Sequence, residues 1–186
     1  MTSFIDLIRS NNFLVLDTET TGLGPTAEIC QIAIIDSAGT VLLDTLVKPI
    51  NPIEAGAIAV HGITNAMVED APGWKDITAL IETLLTGRDV VIYNAVFDRK
   101  LMHQSAEQAG TPKIEWKTLA TFHCAMLEFA AVFGDWNDYY QSYRWKTLQT
   151  AAQFYKLPVS DAHHALGDCL TTLAVCKAMV ALPITE

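Results

Sequence analysis

The sequence predicts an α/β fold in which a mixed sheet, a three-stranded antiparallel meander extended by parallel strands, is flanked by helices. Three apolar, strand-like segments follow one another near the N-terminus with short connections, which is typical of antiparallel pairing. A strand, a helix and a further strand then follow in order, which favours parallel pairing through a crossover. With 186 residues the chain has the length for one sizeable core, so we expect a single domain over residues 1–186.

The individual elements follow from hydrophobic periodicity and from turn residues. A short helix is expected first, and the loop TTGLGP and the turn SAGT separate the strands of the meander. The proline-bearing segment 48–64 is predicted to be a loop. The predicted strands span residues 13–19, 28–36, 41–47 and 89–94, and the predicted helices span residues 3–9, 74–85, 96–110, about 124–133, 147–155 and 163–181.

The composition excludes several classes of protein. Hydrophobic residues make up 51% of the chain, which argues against disorder, and no segment has the length and apolarity of a signal peptide or a membrane span. The formal net charge of −9 argues against a protein that coats nucleic acid through a broad basic surface, but it permits a local grip on a strand end. The cysteines form no CxxC pair, so we expect reduced thiols and a cytoplasmic location.

Carboxylates occur where elements of the predicted sheet end. Asp17 and Glu19 close the first strand and, because strand side chains alternate, they point to the same face. Asp98 follows the strand at 89–94, and Asp168 lies on the last helix. The alternatives are that Asp17 and Glu19 begin a polar loop and that Asp98 is an acid interacting with a helix dipole.

Four carboxylates that converge on one partly buried site repel one another unless cations are present. Oxygen ligands without a cysteine or histidine cage suit Mg²⁺ or Mn²⁺ better than zinc. Two such ions about 4 Å apart stabilise the attacking and leaving oxygens in phosphodiester cleavage. The pattern therefore indicates a two-ion site.

The segment HHALGD at residues 163–168 is open to three interpretations: a metal ligand, a proton-transfer group or an ordinary helix start. On a regular helix, residues five apart differ by about 140° around the axis, so His164 and Asp168 share a face whereas His163 and Asp168 do not. His163 would have to reach the site from the loop or the first turn. An imidazole with that freedom suits proton transfer from an attacking water.

Three segments in order, DTETTG at 17–22, NAVFD at 94–98 and HHALGD at 163–168, resemble the motifs of the DEDDh (DnaQ-like) exonucleases. This family includes RNase T and the epsilon proofreading subunit of bacterial replicative DNA polymerase. The likeness extends over about residues 13–178 and includes AVHGIT at 59–64. The resemblance implies an RNase H-like fold and removal of mononucleotides in the 3′ to 5′ direction with two divalent ions.

The resemblance also implies roles for individual residues. His163, rather than His164, matches the general base. The metal-binding acids match Asp17, Glu19, Asp98 and Asp168, and the residues lining the terminal nucleotide match Thr20, Leu23, His61 and Phe97. For two of these the residues alone leave an alternative open, since His61 is also interpretable as a histidine that caps nearby backbone and Phe97 as a core aromatic.

From these motifs we expect a metal-dependent 3′–5′ exonuclease that acts on single-stranded or frayed DNA ends. Two alternatives stay open: an exoribonuclease that trims RNA, and an inactive nucleic-acid-binding module with the same fold. The acidic charge favours a short grip and delivery by a tethering partner, although little chain follows the last helix, which favours a free-standing enzyme. The aromatic stretch 134–150 fits either strand binding or packing, and the sequence does not indicate an oligomeric state.

Overall fold

The computed structural model describes residues 3–159 and 163–181 of the chain. Its main sheet contains the strands β1 (Leu14–Thr20), β2 (Ile29–Asp36), β3 (Val41–Leu46), β4 (Asp89–Ile92) and β5 (Thr121–Cys124). The spatial order is β3-β2-β1-β4-β5. The pairs β1–β2 and β2–β3 are antiparallel, and the pairs β1–β4 and β4–β5 are parallel. The predicted meander with added parallel strands is confirmed.

The described helices cover both faces of this sheet. They are α1 (Phe4–Ser10), α2 (Ala55–His61), α3 (Trp74–Leu85), α4 (Ala95–Gln108), α5 (Trp116–Leu119), α6 (Ala125–Phe133), α7 (Leu148–Phe154) and α8 (Ala165–Ala181). None of the helices within the described ranges combines the length and the apolarity that a membrane crossing needs.

The alternation of β1 side chains divides the core into two layers. Leu14 and Leu16 pack with residues of α3 and α4, whereas Phe13 and Val15 pack with residues of α8. Because the period of a strand is two, Asp17 and Glu19 continue the series that faces α8, and Thr18 continues the series that faces α4. The end of β1 therefore presents polar groups to both sides of the sheet.

The carboxyl end of β1 projects beyond its parallel neighbour. The pairing of β1 with β4 consists of Leu14 with Val90 and Val15 with Val91, and β4 ends at Ile92. The chain then turns at Tyr93 and Asn94 and enters α4 at Ala95. A gap is left beside the last residues of β1, into which the first turn of α4 fits.

Several elements differ from the sequence prediction. The segment 48–64, predicted to be a loop, contains α2, which ends at Gly62 in a left-handed conformation with a φ of 75°. The strand β5 and the short helix α5 were not predicted, and the stretch 134–150 forms a hairpin from β6 (Trp136–Asn137) and β7 (Ser142–Tyr143) before α7 begins. The last helix starts at Ala165, two residues later than predicted, so His163 lies outside it.

Candidate active site

Three carboxylates from distant parts of the chain meet at the end of β1. Asp17 and Glu19 come from β1, and Asp168 comes from the first turn of α8. One oxygen of each lies within 4.8 Å of an oxygen of the other two. The packing of α8 on β1 through Cys169, whose thiol contacts the Val15 carbonyl oxygen at 3.7 Å, fixes this approach. The predicted convergence of these three acids is present.

Asp98 reaches the same place from the opposite side of the sheet. It lies in the first turn of α4 and is only 4% exposed. The Thr18 hydroxyl donates a hydrogen bond of 2.8 Å to Asp98 Oδ1. Asp98 is outside the tight cluster of three, but all four acids line one cavity of about 180 Å³, which we call the carboxylate cavity.

Burial and mutual repulsion make ionisation of these acids costly. Burial, with the charges of Asp168 and Asp98, raises the pKa of Glu19 to about 8. Burial raises the pKa of Asp98 to about 7, against the opposing hydrogen bond from Thr18. The pKa of Asp17 is also raised, by burial and by the other three acids.

A bound divalent cation would relieve this repulsion, and the donors suit Mg²⁺ or Mn²⁺ because they are carboxylate oxygens clustered within reach of one ion. Cysteine is absent among the residues that line the carboxylate cavity. The residues present therefore fit a divalent-ion site of the type that the sequence predicts.

Of the two adjacent histidines, the structure brings His163 to the carboxylate cavity. His163 precedes α8 with a left-handed backbone, φ 63°, and its Nε2 lies 2.9 Å from the side-chain nitrogen of Gln149 on α7. Because an amide nitrogen only donates, the Nε2 atom of His163 accepts this bond. His164 is exposed and acts through its backbone, its carbonyl oxygen accepting from the Asp168 N–H at 2.9 Å.

A larger pocket of about 610 Å³ adjoins the carboxylate cavity and shares Thr18, Glu19 and Phe97 with it. We call it the apolar pocket. All four residues predicted to line the terminal nucleotide line this pocket: Thr20, Leu23, His61 and Phe97. Its volume lies in the range typical of small-molecule sites, about 300–1,000 Å³. Leu23 is 78% exposed, so its side chain is available at the pocket rim.

Both ring nitrogens of His61 form hydrogen bonds with the protein backbone. Its Nδ1 accepts from the Ile63 N–H at 3.0 Å, so Nε2 carries the proton and donates to the Thr20 carbonyl oxygen at 3.1 Å. His61 is 5% exposed, and burial lowers its pKa, which keeps the ring neutral. These bonds correspond to the backbone-capping alternative, and they tie the end of β1 to the end of α2.

The structure adds site residues that the sequence did not single out. Thr18 carries no signal in the sequence, because it lies between two acids on the opposite face of the strand and its contact with Asp98 spans 80 positions. Leu148 and Tyr93 line the carboxylate cavity without any motif to indicate it. Gln149 reaches His163 only because α7 packs on α8.

Comparison with known proteins gives a consistent picture. The family model for RNase T exonucleases matches residues 14–176. The chain is 42% identical over 169 residues to the uncharacterized exonuclease CP81 of Escherichia phage 186, covering 89% of this chain and 87% of that protein. It is 30% identical over 162 residues to exodeoxyribonuclease 10 of Escherichia coli (strain K12), covering 87% of this chain and 65% of that protein.

Solved structures show the same fold. Escherichia coli exonuclease I in complex with a dT13 oligonucleotide superposes with a TM-score of 0.73 at 22% identity, over 90% of this chain and 40% of that chain. Exonuclease X in complex with 5′ overhanging duplex DNA superposes with a TM-score of 0.65 at 28% identity, over 90% of both chains. The sheet is thus of the RNase H-like type that the sequence resemblance implied.

Proposed function

The chain belongs to the RNase T family of exonucleases, and from that membership we propose that it removes nucleoside 5′-monophosphates from the 3′ ends of DNA, preferring single-stranded or frayed ends. The observation that carries the proposal is the adjacency of two spaces at the end of β1. One is lined by four carboxylates, and the other is an apolar pocket of nucleotide size. A phosphodiester bond between them would lie against the acids with its terminal nucleotide in the pocket.

The proposed metal site uses Asp17, Glu19, Asp98 and Asp168 to hold two Mg²⁺ or Mn²⁺ ions. Bound there, the ions neutralise the carboxylates and stabilise negative charge on the scissile phosphate. The support is the all-oxygen donor set and the raised pKa values of the acids, whose ionisation burial makes costly and a bound cation would favour. Thr18 keeps Asp98 oriented toward the cavity through its hydrogen bond.

His163 is the proposed general base, which takes the proton of the attacking water. Its Nε2 lone pair faces Gln149 in this structure. Since His163 lies before α8 and not within it, its ring has the freedom to exchange the Gln149 amide for the proton of a water beside the phosphate. Gln149 would then position the ring between turnovers.

The terminal nucleotide is proposed to lie between Leu23 and Phe97. Apolar contacts of this kind accept any base, because every base has an apolar face. His61 and Thr20 shape the wall through backbone hydrogen bonds. The deoxyribonuclease name of one relative and the DNA bound to two structural neighbours support DNA as the substrate.

The whole chain is proposed to act as one exonuclease domain. Its formal charge of −9 predicts a weak grip on nucleic acid beyond the site. A relative that is a subunit, DNA polymerase III subunit epsilon of Buchnera aphidicola, shares 36% identity over 104 residues, covering 50% of this chain and 44% of that protein. This supports delivery to DNA by a tethering protein.

The test is digestion of matched DNA and RNA oligonucleotides, labelled at either end, with Mg²⁺ or with EDTA. We expect Mg²⁺-dependent shortening of 5′-labelled DNA one nucleotide at a time and early release of a labelled mononucleotide from 3′-labelled DNA. Asp17→Asn should lower the rate on the order of 10³-fold, while exposed Asp70→Asn is the matched control. Faster digestion of RNA would assign an exoribonuclease, and full activity of Asp17→Asn would exclude the site.

A further inference from the structure

A third concave region, which we call the α4 groove, lies on the outer face of α4 and has a volume of about 300 Å³. The α4 residues that line it follow the spacing i, i+3, i+4 and i+7, which places them on one face of the helix. The opposite face carries Asp98, Leu101 and Met102 into the site and the core. The lining residues are Val96, Arg99, Lys100, His103, Glu115 and Lys117.

The α4 groove concentrates positive charge in an acidic protein. It contains three of the twelve lysines and arginines of a chain with a net charge of −9. Its single carboxylate, Glu115, already pairs with Lys113 at 2.7 Å. Within the described ranges, no carboxylate lies within 4.0 Å of the charged nitrogens of Arg99, Lys100 or Lys117. The three cations are therefore available to an external anion.

Arg99 is oriented by the protein itself. Its Nε donates to the Ala95 carbonyl oxygen at 3.0 Å, and its guanidinium carbon lies 5.3 Å from the centre of the Phe122 ring. These contacts hold the side chain against the helix while its terminal nitrogens carry no partner among the described residues. An oriented guanidinium with free nitrogens is suited to binding a phosphate through two hydrogen bonds.

The stereochemistry of hydrolysis indicates which phosphates of a substrate strand would reach the α4 groove. In-line displacement places the attacking water and the leaving 3′ oxygen on opposite sides of phosphorus. His163 lines the carboxylate cavity, and this cavity shares Thr18, Glu19 and Phe97 with the apolar pocket, so the attacking water and the terminal nucleotide account for two parts of its lining. The strand that carries the leaving oxygen needs a third way out, and the first turn of α4 offers one, because Asn94 lines the carboxylate cavity and Val96 lines the α4 groove.

We propose that the α4 groove binds the phosphates of the nucleotides that precede the scissile bond, and so guides the substrate strand to the site. This proposal rests on the proposed function. Val96 to His103 spans about 10 Å of helix, which is long enough to contact more than one phosphate of a strand. A few local contacts of this kind also explain how an enzyme of net charge −9 grips a polyanion.

Binding tests the proposal independently of catalysis. Fluorescence anisotropy of a 5′-labelled octathymidylate, with Ca²⁺ in place of Mg²⁺, is compared for the wild type, Lys100→Gln/Lys117→Gln and a control, Lys75→Gln/Lys177→Gln. All four lysines are exposed, and each double variant removes two charges. We expect the groove variant alone to raise Kd roughly tenfold and to reduce the slope of log Kd against log salt by about 0.7 for each lysine.

Activity separates this proposal from the function on which it rests. The p-nitrophenyl ester of thymidine 5′-monophosphate has a terminal nucleotide but no preceding strand. We expect the ratio of kcat/KM for the octathymidylate to that for the ester to fall roughly tenfold in the groove variant. An unchanged ratio, or equal losses of binding in both double variants, would overturn the role of the α4 groove. A wild type that hydrolyses neither substrate, yet binds in a groove-dependent way, would overturn the proposed function and leave the groove as a binding surface.

Discussion

Glu19→Gln should stabilise the metal-free protein while abolishing its exonuclease activity. The pKa of Glu19 is raised from 4.5 to about 8 by burial and by Asp168 and Asp98. Since the folded pKa lies above the unfolded one, the folded state loses stability as pH rises from about 4.5 to 8, and the loss is complete above that range. The pKa shift of Glu19 corresponds to a loss of at most about 5 kcal/mol in the free energy of unfolding. Because the acids of the cluster titrate together and relax, we expect Glu19→Gln to recover about 2 kcal/mol of it.

The assay is thermal unfolding in EDTA at pH 5 and pH 8, followed by circular dichroism. For a chain of this size, about 2 kcal/mol corresponds to a rise in Tm of about 4–8 °C. We expect that rise at pH 8 and a rise less than half as large at pH 5, where folded wild-type Glu19 is protonated. Addition of Mg²⁺ should raise the Tm of the wild type more than that of the variant. An equal or lower Tm for Glu19→Gln at pH 8 without metal would refute the account of repulsion in the cluster.

Three further predictions concern the neighbours of the acids. His163→Ala should lower kcat about 10²- to 10⁴-fold and leave Mn²⁺ affinity, measured by calorimetry, within about threefold of the wild type; a large loss of affinity would make His163 a ligand. Thr18→Val removes the hydrogen bond that opposes the raised pKa of Asp98. The variant should therefore need about tenfold more Mg²⁺ than the wild type for half-maximal activity at pH 7, with a smaller difference at pH 9. Equal Mg²⁺ requirements of variant and wild type at pH 7 would contradict this role of Thr18. Leu23→Ala should raise KM for DNA roughly threefold to tenfold with Tm unchanged, because the side chain is 78% exposed; a marked fall in Tm would point to a packing role instead.

The central part of the fold could be predicted because its signals are local. The strands β1, β2 and β3 are long apolar runs bounded by turn residues, and their observed limits differ from the predicted ones by one residue at most at either end. The helix α3 carries clear helical spacing, and α4 is followed by a glycine that signals its end. Pairing of β4 beside β1 follows from the crossover order.

The missed elements depend on partners far away in sequence. The four residues of β5 are too few to show alternation, and the strand exists because it pairs with β4, with His123 bonded to Asp89 at 2.8 Å. The two-residue strands of the hairpin carry even less pattern. The helix α2 has only seven residues and follows two prolines, so the turn residues outweighed its helical spacing.

The site residues also divide into those that have a local signal in the sequence and those that depend on contacts with distant residues. Motifs of fixed order indicated Asp17, Asp98 and Asp168. The spacing within HHALGD left both histidines open, with His164 favoured by helical facing, and the resemblance selected His163. The structure shows the reason: the helix begins after both histidines, so the facing rule of a regular helix does not apply to His163. The contact of Gln149 with His163 had no signal in the sequence at all.

The most direct measurement of the central claim is a crystal structure of the protein soaked in Mn²⁺, with anomalous difference maps calculated at the manganese edge. The account predicts two strong peaks about 4 Å apart, enclosed by oxygens of Asp17, Glu19, Asp98 and Asp168. Peaks confined to other acidic surfaces, with none in the carboxylate cavity, would contradict it.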